Sequence, residues 1–117
     1  MTIPNRITLT RTSTNKLQTI KNRTGITPNI SSRIAIMLAI NSNDDLSTAG
    51  VGDAKGQILD KDTLFGDHID VYEIIIRQYI HDNDIDLPIS TVITSLVEVG
   101  IHKMGHVRSL EQLCSLS

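Results

Sequence analysis

Six basic side chains, Arg6, Arg11, Lys16, Lys21, Arg23 and Arg33, come before the first acidic residue of the chain, Asp44. Cations at that density, with no carboxylate nearby in sequence, suit contact with phosphates. Each one displaces a condensed counterion from a nucleic-acid backbone, and together they give an affinity that falls steeply with salt. Residues 44–117 hold the other five of the eleven Lys and Arg and all thirteen Asp and Glu. The net charge of −2 is therefore a cancellation between a basic segment and an acidic remainder. A chain divided this way presents one face to a polyanion and keeps the other away from it. The competing explanation is a basic segment that pairs with the acidic half inside the fold or an oligomer.

Other groups offer less chemistry. Lys55 stands in a run with Gly50, Gly52 and Gly56, but a phosphate loop needs Gly-Lys-Ser/Thr opening a helix, and a dinucleotide fingerprint needs a preceding strand. What remains is a glycine-rich loop over 42–56 with one lysine available to a phosphate. His102 and His106, four apart, share a helical face in the manner of metal ligands, yet two histidines do not make a zinc site and Gly105 interrupts them. The acidic groups Asp60, Asp62, Asp67 and Asp82, Asp84, Asp86 lack the glycine and terminal glutamate of a calcium loop and read as solvated turns. Cys114, between Leu113 and Leu116, packs as a small hydrophobe. No nucleophile is framed by a base, no metal or cofactor site emerges, and the expectation is a binding protein without catalysis.

The elements that must position these cations are mostly helical. Residues 6–11 alternate, with Ile7 and Leu9 on one side and Arg6, Thr8 and Thr10 on the other, which predicts a half-buried strand. No run nearby offers it a partner, so the simplest one is the same strand from a second copy. Thr12 or Ser13 caps a helix carrying Leu17, Ile20 and Thr24 and stopped by Gly25, with Lys16 and Arg23 on one flank of that stripe and Lys21 toward the other. Thr27 caps a second helix with Pro28 in its first turn and Ile30, Ile34, Met37 and Leu38 as its apolar positions. Further helices follow over 67–116: one from an Asp67 cap through Ile69, Tyr72, Ile76, Tyr79 and Ile80, one opened by Pro88 or Ser90 with Val92, Ile93, Leu96, Val97 and Val99, and a short last one over Leu110–Leu116. The fold class is mainly α in a single compact domain, with a strand and two helices over 6–40 leading further helices.

At 117 residues one aliphatic core is expected. The lone cysteine excludes an internal disulfide and suits a reducing compartment, residues 1–5 lack the apolar segment of a signal peptide, and no run of about 18 apolar residues exists. The cytoplasm is the expected location, with no membrane partner. Phe65, Tyr72 and Tyr79 are the whole aromatic set, which argues against a platform for stacking single-stranded bases.

The order Ile7 and Leu9, Leu17 and Ile20, Arg23-Thr24-Gly25, then Ile30-Ser31-Ser32-Arg33-Ile34-Ala35-Ile36 resembles the ribbon-helix-helix DNA-binding family over about a quarter of the chain. Nearly the whole chain resembles the DndE family of DNA sulfur modification proteins, through Asn5-Arg6-Ile7, Arg23-Thr24-Gly25-Ile26-Thr27-Pro28-Asn29-Ile30, the glycine-rich middle, Thr63-Leu64-Phe65-Gly66-Asp67 and the Ile-rich third helix. That resemblance implies a small helical subunit of the machinery that replaces a non-bridging DNA phosphate oxygen by sulfur, acting beside a sulfur-transferring enzyme and an ATPase. It also implies a homotetramer that binds duplex DNA, nicked duplex by preference. Arg6, Arg11, Lys16, Lys21, Arg23, Arg33 and Lys55 are the residues expected at that DNA. One arginine per strand is thin for reading bases, so the strand is expected to grip phosphates with little sequence preference. A sequence-specific ribbon-helix-helix repressor or antitoxin is the alternative, and an assembly protein that docks larger subunits is a third.

Overall fold

The computed structural model describes residues 3–42, 46 and 56–104. In order these form β1 (Arg6–Thr8), α1 (Arg11–Thr24), α2 (Pro28–Ser42), β2 (Ile58–Asp60), α3 (Lys61–Phe65), a 3₁₀ turn over Gly66–His68, α4 (Ile69–Asp82) and α5 (Ile89–Lys103). The fold is mainly helical, as the periodicity implies. The glycine-rich loop, Lys55, His106, Cys114 and the short last helix expected over 110–116 lie outside the described residues.

α5 is the central element, buried along most of its length from Ile89 to Ile101. Its closest neighbour is α2, and the separation of the two is set by a glycine: a Cβ added at Gly100 would lie 1.9 Å from the carbonyl oxygen of Ala35. The inward face of α2 is accordingly rich in small residues, Ser31, Ser32, Ala35 and Ala39, with Ile36 and Leu38 buried alongside them. This corrects the expected stripe in part: Leu38 is buried as expected, but Ile30 is 44% exposed and Ile34 only partly buried, on the flank of the close-packed face. The hydroxyls of Ser31 and Ser32 are buried without a hydrogen-bond partner among the described residues, a cost of about 1–3 kcal/mol each that the close packing tolerates.

The strand also differs from expectation. β1 pairs antiparallel with β2 of the same chain in the register Arg6 to Asp60, Ile7 to Leu59 and Thr8 to Ile58. Beyond the ladder, Leu9 N donates to Gln57 O, and Gly56 N donates to Leu9 O, both at 2.9 Å. Thr94 of α5 donates its hydroxyl to Thr8 O at 2.9 Å, so α5 serves the backbone that β2 does not. A second copy of the chain is therefore not needed to pair this strand. The partner was hidden because Gln57-Ile58-Leu59-Asp60 is short, without clear alternation, and about 50 residues away.

Capping fixes the first two helices. Thr10, not Thr12 or Ser13, is the N-cap of α1: its Oγ1 accepts from Ser13 N at 3.0 Å, and the residue is buried rather than outward-facing. No acidic residue stands in the first turn of α1. Glu98 of α5 supplies that charge from outside, accepting from Thr10 Oγ1 at 3.0 Å, where the helix dipole favours an anion. Gly25 ends α1 at φ 79°, with its N–H donating to Lys21 O at 2.8 Å. α2 begins at Pro28 directly after Thr27, as the sequence implies.

Two substitutions separate the forces at the α2–α5 crossing. Gly100→Ala should lower stability by about 2 kcal/mol or more, since the clash is with backbone that cannot rotate away. Ser32→Ala keeps the size and removes an unpaired hydroxyl, so it should be neutral or stabilising. Urea midpoints of the two variants against the parent test both.

Candidate nucleic-acid interface

The basic residues of the N-terminal segment divide into those the fold uses and those it leaves to solvent. Arg6 is exposed on β1 and pairs weakly across the ribbon with its register partner, Nε to Asp60 Oδ1 at 3.8 Å. A pair so open to water contributes little to stability and competes poorly with a phosphate. Arg11 opens α1, Lys16 lies half-buried in its middle, and Lys21 and Arg23 are exposed in its last turn. Among the described residues, Arg6 is the one cation of the segment 6–33 in an ion pair with a carboxylate. The alternative in which the basic segment pairs with the acidic half is thus not how the described residues are arranged.

Arg33 has a different environment. Its guanidinium reaches from α2 to the end of α3, where Nε donates to Leu64 O and Nη2 to Thr63 O at 3.2 Å. Asn29 Nδ2 reaches the same Thr63 carbonyl at 3.2 Å. Gly66 turns at φ 60°, and a Cβ there would stand 3.2 Å from Arg33 Nη2, so the glycine also makes room for the guanidinium. Arg33 caps the carboxyl end of a short helix and ties α2 to α3; it does not join the exposed cations of β1 and α1. The helix ends it serves are what sequence spacing cannot show, since the hydrogen bonds span about 30 residues.

Two positioning residues were likewise out of reach of the sequence pattern. Thr10 and Glu98 are 88 apart in the chain, yet their contact sets where α1 starts and hence where Arg11 and Lys16 project. Ile3 N donates to Glu73 Oε1 at 3.1 Å, which draws the chain ahead of β1 onto α4 and occupies one of the acids.

On other parts of the molecule the chemistry is apolar or acidic. Val71 and Ile74 on α4 are 53% and 67% exposed. Ile30, Ile34, Met37 and Tyr72 line a shallow groove of about 280 Å³ with Arg33 and Asn41, and Ile74 faces Ile40 of α2 across another. Asp67, Asp70, Asp82, Asp84 and Asp86 are all exposed. Among the described residues no three His, Cys, Asp or Glu side chains gather into a possible metal site, and no helix is long and apolar enough to cross a membrane.

Comparison with known proteins agrees with the fold. The model of the family described as DNA sulphur modification protein DndE matches residues 6–112. The crystal structure of DndE from Escherichia coli B7A, involved in DNA phosphorothioation modification, superposes with a TM-score of 0.72 at 27% identity, covering 87% of this chain and 98% of that one. A glycine-to-lysine double mutant of DndE, involved in DNA phosphorothioation, gives a TM-score of 0.71 at 25% identity with the same coverage, 87% and 98%. Among curated protein sequences none matches. With the family model spanning β1 to beyond α5 and two crystal structures sharing the fold, the chain belongs to the DndE family of DNA sulphur modification proteins.

Proposed function

We propose that this protein is a non-catalytic, duplex-binding subunit of a DNA phosphorothioation machinery, holding DNA, nicked duplex by preference, beside the subunits that carry out the chemistry in the cytoplasm. The observation that carries the reading is the set of exposed cations on β1 and α1, Arg6, Arg11, Lys21 and Arg23 with half-buried Lys16, four of them without a carboxylate partner among the described residues. Cations left unpaired by a fold rich in Asp retain their full attraction for phosphate, while the acids on α4 and in the turn after it repel the same polyanion. Lys55 adds to this set by charge. Arg33 is assigned to the fold.

A sequence-specific ribbon-helix-helix repressor reads its operator with a ribbon made of one strand from each of two subunits. Here β2 takes that place, which counts against the alternative. We assign self-association, as a tetramer, to the apolar surface of α4 and the adjoining flank of α2 instead. Val71 and Ile74 there lie outside the buried core, and one edge of the strand is already taken by β2.

Four measurements follow. Affinity for nicked and intact duplex across a salt series should give a slope of about −4.5 per bound protomer in log Kobs against log salt if five cations each meet a phosphate. Lys16→Glu/Lys21→Glu/Arg23→Glu should lower that affinity by about a hundredfold or more with the helical spectrum unchanged; a folded triple variant that binds like the parent removes the basic-face account. Arg33→Ala should behave oppositely, costing about 1–3 kcal/mol of stability by taking the guanidinium donor from Leu64 O and leaving Thr63 O to Asn29 alone, while the salt slope stays intact. Val71→Asp/Ile74→Asp should reduce the mass seen by light scattering, and an unchanged mass would move the self-contact elsewhere.

A further inference from the structure

On α1, Arg11, Asn15, Gln18 and Asn22 succeed one another at intervals of four, three and four residues. At ~100° per residue this gathers them within roughly 60° of arc. All four are exposed, on the side of the helix opposite the buried Ser13, Leu17 and Ile20. Gln18 Nε2 donates to Asn22 Oδ1 at 3.2 Å, which holds two amides side by side along the row. The cations of the helix fall to either side of it: Lys21 on one flank, Lys16 and Arg23 on the other.

Folding explains little of this row, since the Gln18–Asn22 bond gives a helix only a small fraction of what better helix formers would. Asparagine is a poor helix former, and at solvent-facing positions Ala, Glu or Lys would strengthen α1 at no packing cost. Two asparagines stand there, with Thr19 beside them, and return nothing to the core. A local rule broken without a compensating gain in the fold marks a surface kept for a ligand.

The arrangement matches the major groove of a duplex. The groove is ~12 Å wide and admits an α-helix of ~10–12 Å diameter. A helix laid in it meets base edges along its centre and a phosphate backbone on each side. Carboxamides are the side chains that pair with adenine through N6 and N7, and Lys or Arg on the flanks reach the two walls. We propose that the outer face of α1 enters the major groove, with Asn15, Gln18 and Asn22 on base edges, adenine above all, Arg11 leading the row, and Lys21 facing the backbone opposite to that met by Lys16 and Arg23. This rests on the duplex-binding reading and assigns to α1 the base contacts that β1, with its single arginine, lacks.

The test compares an A·T-rich duplex with the same duplex carrying 7-deazaadenine, which erases the N7 acceptor in the major groove and keeps the pairing, minor groove and phosphates. The protein should bind the substituted duplex about tenfold more weakly. Asn15→Ala/Gln18→Ala/Asn22→Ala should bind both duplexes alike, at the parent's salt slope, and melt no lower than the parent because alanine is the better helix former. Equal binding of the two duplexes by the parent protein overturns the base contact and leaves duplex binding standing. A folded triple-alanine variant that still discriminates overturns the assignment to α1. Failure of the parent to bind either duplex removes the duplex-binding reading itself.

Discussion

The approach of α2 to α5 governs the rest of the molecule. With no side chain at Gly100, the backbone of α5 comes against the carbonyl of Ala35, a contact that a single methyl group would forbid. At that separation the inward face of α2 is mostly small residues with Ile36 and Leu38 buried among them, and Ile30 and Ile34 lie on the flank. The crossing also holds α5 in register with the N-terminal segment. From that position Thr94 reaches the backbone of β1 and Glu98 reaches the cap of α1, so the placement of the basic surface is inherited from a crossing of two uncharged helices.

The Glu98–Thr10 contact shows how the fold manages its charge. α1 has four cations and no acid, so its dipole is complemented at the carboxyl end by Lys21 and Arg23 but has nothing of its own at the amino end. A glutamate in the first turn would supply that charge and would also stand beside Arg11. Taking the carboxylate from α5 instead places it under the helix, half-buried and bonded to the cap, where it steadies the amino terminus without neutralising the outward surface. One consequence is visible in the geometry: the second oxygen of Glu98 is buried with no partner among the described residues, a cost consistent with a position chosen for electrostatics more than for hydrogen bonding.

Local signals carried the helices. Gly25 after the last turn of α1, Pro28 at the start of α2, and the Ile69–Ile80 and Val92–Val99 periodicities are short-range statements, and each matches an observed element. The failures share a different cause. The partner of β1, the small-residue face of α2 and the bonds of Arg33 all depend on residues brought together across long stretches of chain, and none leaves a mark in local periodicity. Gly100 is instructive because a glycine tolerated within a helix and a glycine required by a neighbouring backbone look the same in sequence. The candidate surface was legible in part for the same reason. Spacing put Lys16 and Arg23 on one flank and Lys21 on the other, whereas it gave no means to separate Arg33 from them.

That separation bears on how basic sequences are read. Arg33 and Arg23 are identical groups ten residues apart, in a segment with no acid at all, and composition treats them as equal. What distinguishes them is a pair of carbonyls at the end of α3 that only the fold presents to Arg33. Those bonds occupy two of the five guanidinium donors and pin the group against α3, so Arg33 meets a phosphate only with the donors that remain or at the expense of bonds the fold already makes. Arg23, in the final turn of a helix and without a carboxylate partner among the described residues, has no such exchange to make. The affinity of a basic face is therefore set less by how many cations the chain contains than by how many the fold leaves unpaired, and here the fold leaves those of α1.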